Sequence, residues 1–479
     1  MPPAYVHPPT TSGIFTIRDT TVVDVRTETL HPHQDIHIAD GKIAAITHTG
    51  ATTDEQTIDG HGTYVVPGFI DAHTHALNWP KEVAGAYALM LANGVVGFRQ
   101  MSGSPELLTD RAAGRLPAPT GAPELLATCG TLLTPMNTST AEDAAKEVRT
   151  QHKLGADFIK AGMTQHDGFF AALTEAQRLE LPLDGHLPGD VDPREAAQHG
   201  MRCIEHLGPG ATVYTAASTE EKTLRAQPQK SIKLPKVKLP GMERVLNALI
   251  ARLVINPAAL TSTDAAHELH VADTTYDEAK AAELADLFIE HDTWQCPTLI
   301  RLHTQQFPDT PAHQDDPRQR YIAPAELKRW RKATKRFAKL PDKTRKALRE
   351  HWDAQLRMTK LFADKGVPMI AGTDANGAGW VIPGFALHDE FDLLADAGLS
   401  PVTILQMATS NAARFFGRAD THGQVAQGFH ADLVLLQRNP LSDHTALHEI
   451  SGVVRDGGWW SRADLDAILD RLAADPSAR

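Results

Sequence analysis

The sequence predicts an α/β protein, a (β/α)8 barrel of the TIM type carrying a small β-sandwich domain built from both chain ends. Three observations predict it. Eight short apolar runs, most of them followed by a helical stretch, succeed one another through the middle of the chain, the alternation that produces a parallel sheet. Runs of β type separated by turn residues occur at both ends. The length, 479 residues, exceeds one average domain but suits a barrel with insertions plus one small domain.

Residues 1–66 supply the first part of the small domain, with TIRDTTVVDV and QDIHIADGKIAAI before GTYVVPGFIDAHTH leads into a buried strand. The barrel, 67–418, is read from VVPGFIDAHTH, GVVGFRQM, ELLATCGTLL, ADFIKAGM, LPLDGHLP, MRCIEHLG, TWQCPTLI and VPMIAGTDA. Spacing is regular through the sixth run, and the longer gaps before the seventh and eighth mark insertions at about 216–292 and 305–349. The first holds the basic, Pro-interrupted KSIKLPKVKLPGMERV and the second ELKRWRKATKRFAKLPDKTRKALREHW, whose Lys and Arg residues read as solvated helix faces. Residues 419–479, with GQVAQGFHADLVLLQRNP and ISGVVRDGGWW, complete the small domain and end in a helix.

Composition narrows the function. A chain with 42% hydrophobic and 22% charged residues can bury a large core. Its net charge of -12 argues against a nucleic-acid partner, which would be met by a basic surface. No stretch of about 18 apolar residues is present, so no membrane partner is expected. Cys129, Cys203 and Cys296 are odd in number and have no C-x-x-C spacing; together with an N-terminus unlike a signal peptide, this predicts a cytoplasmic protein. A small-molecule or dipeptide-like partner fits best, and a homo-oligomer is common at this size.

Chemistry-bearing residues sit where these runs end. His73 and His75, in DAHTH, are two apart, so on a strand both imidazoles face the same side and can meet one ion. An H-x-H pair is weak by itself among 24 histidines, but this one closes the first barrel run, where a parallel barrel gathers its reactive groups. Lys160 ends the apolar run ADFI, either snorkelling to solvent or carbamylated by CO2 into an anionic bridge between ions; the neighbouring histidines favour the second. His186 and His206 end the fifth and sixth runs, and Asp374 follows the eighth behind Gly372, which lets the backbone approach closely.

This distribution, with the phrases PGFIDAHTH, GADFIKAG, GHLP, IEHLG and AGTDA and the later PGFALHDEFDLLADAGLS and ADLVLLQRNP, resembles the amidohydrolase superfamily. The likeness is to its binuclear carboxylated-lysine subtype, in the imidazolonepropionase-like and prolidase-like branch. It runs from about Ile14 to about Gly458 and is weakest over about 216–292 and 305–349. The resemblance implies two divalent ions, with Zn2+ the ion that nitrogen and carboxylate donors suit. His73, His75 and Asp374 would hold the more buried ion, and His186 and His206 the more exposed one. A carbamate on Lys160 and a hydroxide would bridge them. It further implies hydrolysis of an amide bond, in an N-acyl amino acid or dipeptide, with Asp374 shuttling the proton. Tyr214, shortly after the sixth run, is a candidate donor to the oxyanion or else a packing residue.

Other readings have less to stand on. No G-x-S-x-G marks a serine nucleophile. A zinc deaminase would need an H-x-x-E glutamate, yet Leu187, Pro188 and Gly189 follow His186 and Lys160 would have no role. Opening of a cyclic amide or imidazolone-like ring, or cleavage of a lactone or carbamate, is the main catalytic alternative. A non-catalytic barrel would require some of the six positions to be disabled, and all six carry competent residue types.

Overall fold

The β-type runs at the two chain ends meet in one sheet. The structure, a computed structural model, describes residues 5–50, 56–227 and 255–475. The basic stretch from Lys230 lies outside the described residues. Strands β1 (Thr11–Ser12), β2 (Phe15–Asp24), β3 (Thr29–Ala39), β4 (Lys42–His48), β5 (Thr57–Asp59) and β6 (Tyr64–Pro67) come first. The parallel set follows: β7 (Phe69–Thr74), β8 (Val95–Gln100), β9 (Glu124–Thr128), β10 (Ile159–Ala161), β11 (Leu183–Gly185), β12 (Cys203–Glu205) and β13 (Trp294–Cys296). The chain closes with β14 (Leu433–Leu436), β15 (Ile450–Arg455), β16 (Gly458–Ser461) and the helix Arg462–Ala474.

The sheet order is β1-β16-β15-β14-β6-β2-β3-β4, with β5 on β2. An antiparallel bridge from Lys42 to His430 ties β4 to the segment entering β14, so this nine-stranded sheet is curled. The period of two decides its faces. Val65, Leu433, Leu435, Val454 and Trp459 join Phe15, Ile17 and Ile36 in a core of the sheet's own. Their neighbours Val66, Val434, Leu436, Val453 and Trp460 face the main core instead.

In the middle of the chain β7-β8-β9 and β10-β11-β12-β13 are parallel throughout. Parallel bridges from Cys129 to Phe158 and from Leu133 to Ala161 join the two groups. Gln295 bridges to Met369 and Thr74 to Ala375, both parallel, so the pairings run in a circuit that returns to β7. The eighth run is thus held by isolated bridges and single hydrogen bonds, such as Ala72 N to Ala371 O at 2.9 Å, and forms no regular strand. Its backbone leaves the extended region at once, with φ of 64° at Asp374 and 62° at Asn376. Gly372 is required there, because a Cβ would come within 2.7 Å of the His73 Cβ and 2.8 Å of the Cys296 Sγ.

The long gaps fold into helices, chiefly Thr263–Thr274, Glu278–Glu290, Pro324–Phe337 and Asp342–Lys365. In Pro324–Phe337 the buried residues are Trp330, Ala333, Thr334 and Phe337, a helical stripe, while Lys328, Arg329, Arg331, Lys332 and Lys335 are exposed.

A buried carboxyl organises the shorter helix Leu299–Gln306. Glu390, on the helix Phe385–Asp396, accepts from the Ile300 N–H at 2.7 Å and so satisfies a donor that the helix start leaves open. Burial pushes its pKa up to about 8 from an ordinary 4.5. Since the folded form then binds the proton more tightly than the unfolded chain, this group's contribution to stability is fully present below about pH 4.5 and is lost as pH rises through 8. Glu390→Gln is therefore expected to flatten the pH dependence of stability over that window. Denaturant titrations at pH 5 and pH 8 should show a wild-type-minus-variant difference that shrinks by a few kcal/mol toward pH 8; an unchanged difference would count against a proton held there.

Candidate metal centre

Strand ends bring the ring nitrogens together. The His75 Nε2 lies 2.7 Å and the His73 Nε2 3.4 Å from the same Asp374 Oδ1. These three residues can offer one ligand atom each, all within 4.8 Å of one another. The rings continue along the rim: the His73 centroid is 4.7 Å from that of His206, and His206 is 5.1 Å from His186. Lys160 ends β10 at 2% exposure, and its Nζ has no hydrogen-bond partner among the described residues. Its charge reaches His75, His186 and His206, and it is itself acted on by Asp374. Backbone strain gathers at the same rim, where His206, Leu207, Thr298, Asp374 and Asn376 all have positive φ.

The hydrogen bonds behind the rings fix their tautomers. The His73 Nδ1 lies 2.6 Å from Glu205 Oε2, a carboxylate that can only accept, so Nδ1 carries a hydrogen and Nε2 faces the Asp374 oxygen. The Ser102 hydroxyl donates to Asn78 Oδ1 at 2.6 Å, which leaves its oxygen to accept from His75 Nδ1 at 2.7 Å. Thr298 likewise donates to the Pro297 carbonyl at 2.7 Å and accepts from His206 Nδ1. His75 and His206 thus present unprotonated Nε2 atoms, the arrangement that outer partners impose on metal-binding histidines. Burial lowers the pKa of His75, and lowers those of His186 and His206 well below the ordinary value, so these rings are neutral. For Asp374 burial works the other way, but Arg301, with its Nε 2.8 Å from Oδ2, holds the carboxyl well below the usual range.

A charged network lies beneath the rim. Arg99, wholly buried, donates from Nη2 to Glu205 Oε1 at 2.6 Å and from Nη1 to Asp184 Oδ2 at 2.8 Å, and its Nε donates to the Ala72 carbonyl. Arg202 adds a second cation on Asp184, with its Nε 2.9 Å from Oδ1. Burial alone would raise the Glu205 pKa, yet Arg99 and His73 keep it well below the ordinary value. Asp71 fastens the loop that carries Asp374, accepting from the Thr373 N–H at 3.1 Å and from its hydroxyl at 2.7 Å. Glu205, Arg99, Asp184, Asp71, Arg301, Ser102 and Thr298 have no assigned role in a reading of strand ends alone. For the five charged ones the signal was a charged residue inside an apolar run, as in GFRQM, IEHLG and TLIRL; Ser102 and Thr298 carried none.

Glu205→Gln is expected to cost about 3–5 kcal/mol of stability, because it leaves the Arg99 charge partly unpaired in the interior. The same change should weaken metal binding by about 10–100-fold through His73. Denaturant unfolding and metal titration read the two effects separately.

Tyr214 is not brought to this cluster. It lies on the short helix Thr212–Ala216 with its ring edge-on to His351, centroids 4.4 Å apart, and Asp273 and Arg357 are its charged neighbours. Burial raises its hydroxyl pKa well above the ordinary value, and that hydroxyl has no partner among the described residues.

Fold and site together define an α/β protein with imidazole, carboxylate and lysine groups convergent at the ends of parallel strands. Residues 321–459 match the Amidohydrolase family. A stretch of 48 residues is 48% identical to a D-hydantoinase of Streptomyces coelicolor; it covers 9% of this chain and 10% of that protein. Over nearly the whole chain the fold is similar to that of a bottromycin amidohydrolase (TM-score 0.69, 23% identity, 97% of this chain and 92% of that one). It is also similar to a putative prolidase from Bifidobacterium longum (0.63, 20%, 96% and 99%) and to a Xaa-Pro dipeptidase with bound methionine (0.61, 17%, 94% and 100%). The similarity to the Amidohydrolase family thus lies in residues 321–459, and over nearly its whole length the chain shares the fold of these amidohydrolase and prolidase-like structures.

Proposed function

We propose that this protein hydrolyses an amide bond in an N-acyl amino acid or dipeptide, using two divalent ions held by His73, His75, Lys160, His186, His206 and Asp374. The observation that carries this reading is the approach of His73 Nε2 and His75 Nε2 to one oxygen of Asp374, their Nδ1 atoms held by Glu205 and Ser102, with the His206 and His186 rings continuing along the rim. We take the circuit of parallel pairings as a (β/α)8 barrel spanning 67–418, with the curled sheet as the separate small domain built from 1–66 and 419–479.

The donor set fits the ions. His73, His75 and Asp374 suit the more buried one, and His186 and His206 the more exposed one. Nitrogen and carboxylate donors favour Zn2+. Lys160 fits a carbamate for two reasons: burial lowers its pKa, which frees the amine that reacts with CO2, and its buried Nζ otherwise has no partner among the described residues. When bound, the ions supply Lewis-acid polarisation of the substrate carbonyl and a water acidified toward a pKa of about 7. Asp374 takes the proton from the attacking water and delivers it to the leaving nitrogen, so one carboxylate acts as base and then as acid. Arg301 steadies Asp374 in its ionised form before the transfer.

The test is a screen of the zinc-loaded protein, expressed with bicarbonate, against dipeptides and N-acyl amino acids. Turnover of members of that library is expected. Silence there, with turnover of a cyclic imide or lactone, would favour the second reading, ring opening, to which the short D-hydantoinase match lends support.

A further inference from the structure

Beside the rim cluster lies a narrow cleft of about 40 Å3 that opens to solvent. Three stretches of chain wall it: Trp79 and Glu82 after β7, Glu326 and Trp330 of the helix Pro324–Phe337, and Asn376 and Ala378 from the loop behind Asp374. That loop is pressed onto the candidate ligands, since a Cβ on Gly377 would stand 2.4 Å from the His75 ring and 2.9 Å from Asp374 Oδ1. The cleft therefore begins where a substrate held at the rim would extend outward.

Two of its polar groups are acceptors left without a partner among the described residues, the Glu82 carboxylate and Asn376 Oδ1. Glu326 is already engaged on both oxygens: Trp330 Nε1 donates to Oε1 at 3.0 Å and Arg329 to Oε2 at 2.8 Å. Glu82 is half-buried, and its carboxylate has no hydrogen-bond or ion-pair partner among the described residues. Asn376 Oδ1 is buried and likewise without a partner among them. The aromatic wall accepts cations, for the chain's own Arg329 guanidinium lies 5.4 Å from the Trp79 ring centroid. A half-buried carboxylate and an unmet amide oxygen together call for a donor, which an apolar group cannot supply.

We propose that this cleft is a subsite for a protonated amine carried by the substrate, with Glu82 as its counter-ion. The inference rests on the amide-hydrolase reading and narrows it to amides bearing an ammonium group. Burial and the neighbouring Glu326 charge raise the Glu82 pKa, Arg329 only partly offsets them, and an ammonium group in contact with the carboxylate would relieve both effects.

Two measurements on the full chain test it. Tryptophan fluorescence, read through Trp79 and Trp330, should report n-butylamine binding about tenfold more tightly than n-butanol, the factor a charge-assisted hydrogen bond supplies. Glu82→Gln should abolish that preference; Glu82 loses no partner in the change, and an unaltered thermal melt would verify folding. Equal binding of the two probes, or a preference that survives in Glu82→Gln, overturns the subsite. With a pair of amides differing only in a free or acetylated amine, the ratio of their kcat/KM values should fall about tenfold in Glu82→Gln, chiefly through KM. A constant ratio overturns it as well. Glu82-dependent butylamine binding without turnover of any amide would support the subsite while removing the hydrolase reading beneath it.

Discussion

Asp374→Asn is expected to lower kcat by about a thousandfold, within the range that general acid–base groups supply, while the protein keeps at least one metal ion per chain. The carboxylate stands between His75 on Oδ1 and Arg301 on Oδ2, and an amide in its place can neither take a proton from water nor return it to nitrogen. The buried Arg301 would also lose its anionic partner at Asp374, so a drop in melting temperature should accompany the loss of turnover. Steady-state kinetics beside elemental analysis separates the two effects. A variant with full activity would remove Asp374 as the proton carrier.

Lys160→Ala is expected to reduce bound metal below two ions per chain and to abolish nearly all activity. The loss of affinity should exceed the 10–100-fold typical of outer partners, because a direct ligand is removed. Acetate or propionate can occupy the space vacated by the side chain and offer a carboxylate there, so partial recovery in their presence is expected. A fully metallated and active Ala variant would exclude the bridging role. So would wild-type protein whose lysine carries no added carbon dioxide by mass spectrometry under native conditions.

The strand-end residues were legible because the period of a β-strand and the polarity of parallel sheets constrain where a side chain can point. His73 and His75 share a face, and His186, His206 and Asp374 recur at the same place after successive runs. The groups behind them were legible only as anomalies. An arginine inside GFRQM must be paired if buried, but its partners Asp184 and Glu205 lie on two other strands, and nothing local names them. Tyr214 shows the opposite limit: closeness in sequence to the sixth run does not fix direction, and the turn after His206 carries it toward His351. The eighth run reads as a strand by composition, yet it pairs through isolated bridges because the chain turns into positive φ at Asp374. Glu82 was unreadable, since its role depends on a cleft whose far wall comes from the second insertion.

The pairing of β6 with β14 has a consequence for biosynthesis. Residues 64–67 meet 433–436, and the Gly68 N–H at the start of β7 donates to the Asp432 carbonyl at 2.8 Å. While the ribosome is still making the middle of the protein, β6 waits with an unfilled edge and Val66 without the cover that β14 will bring. Release of the last segment is thus the event that seals this edge, and nascent chains stalled short of it would be the ones most in need of a chaperone.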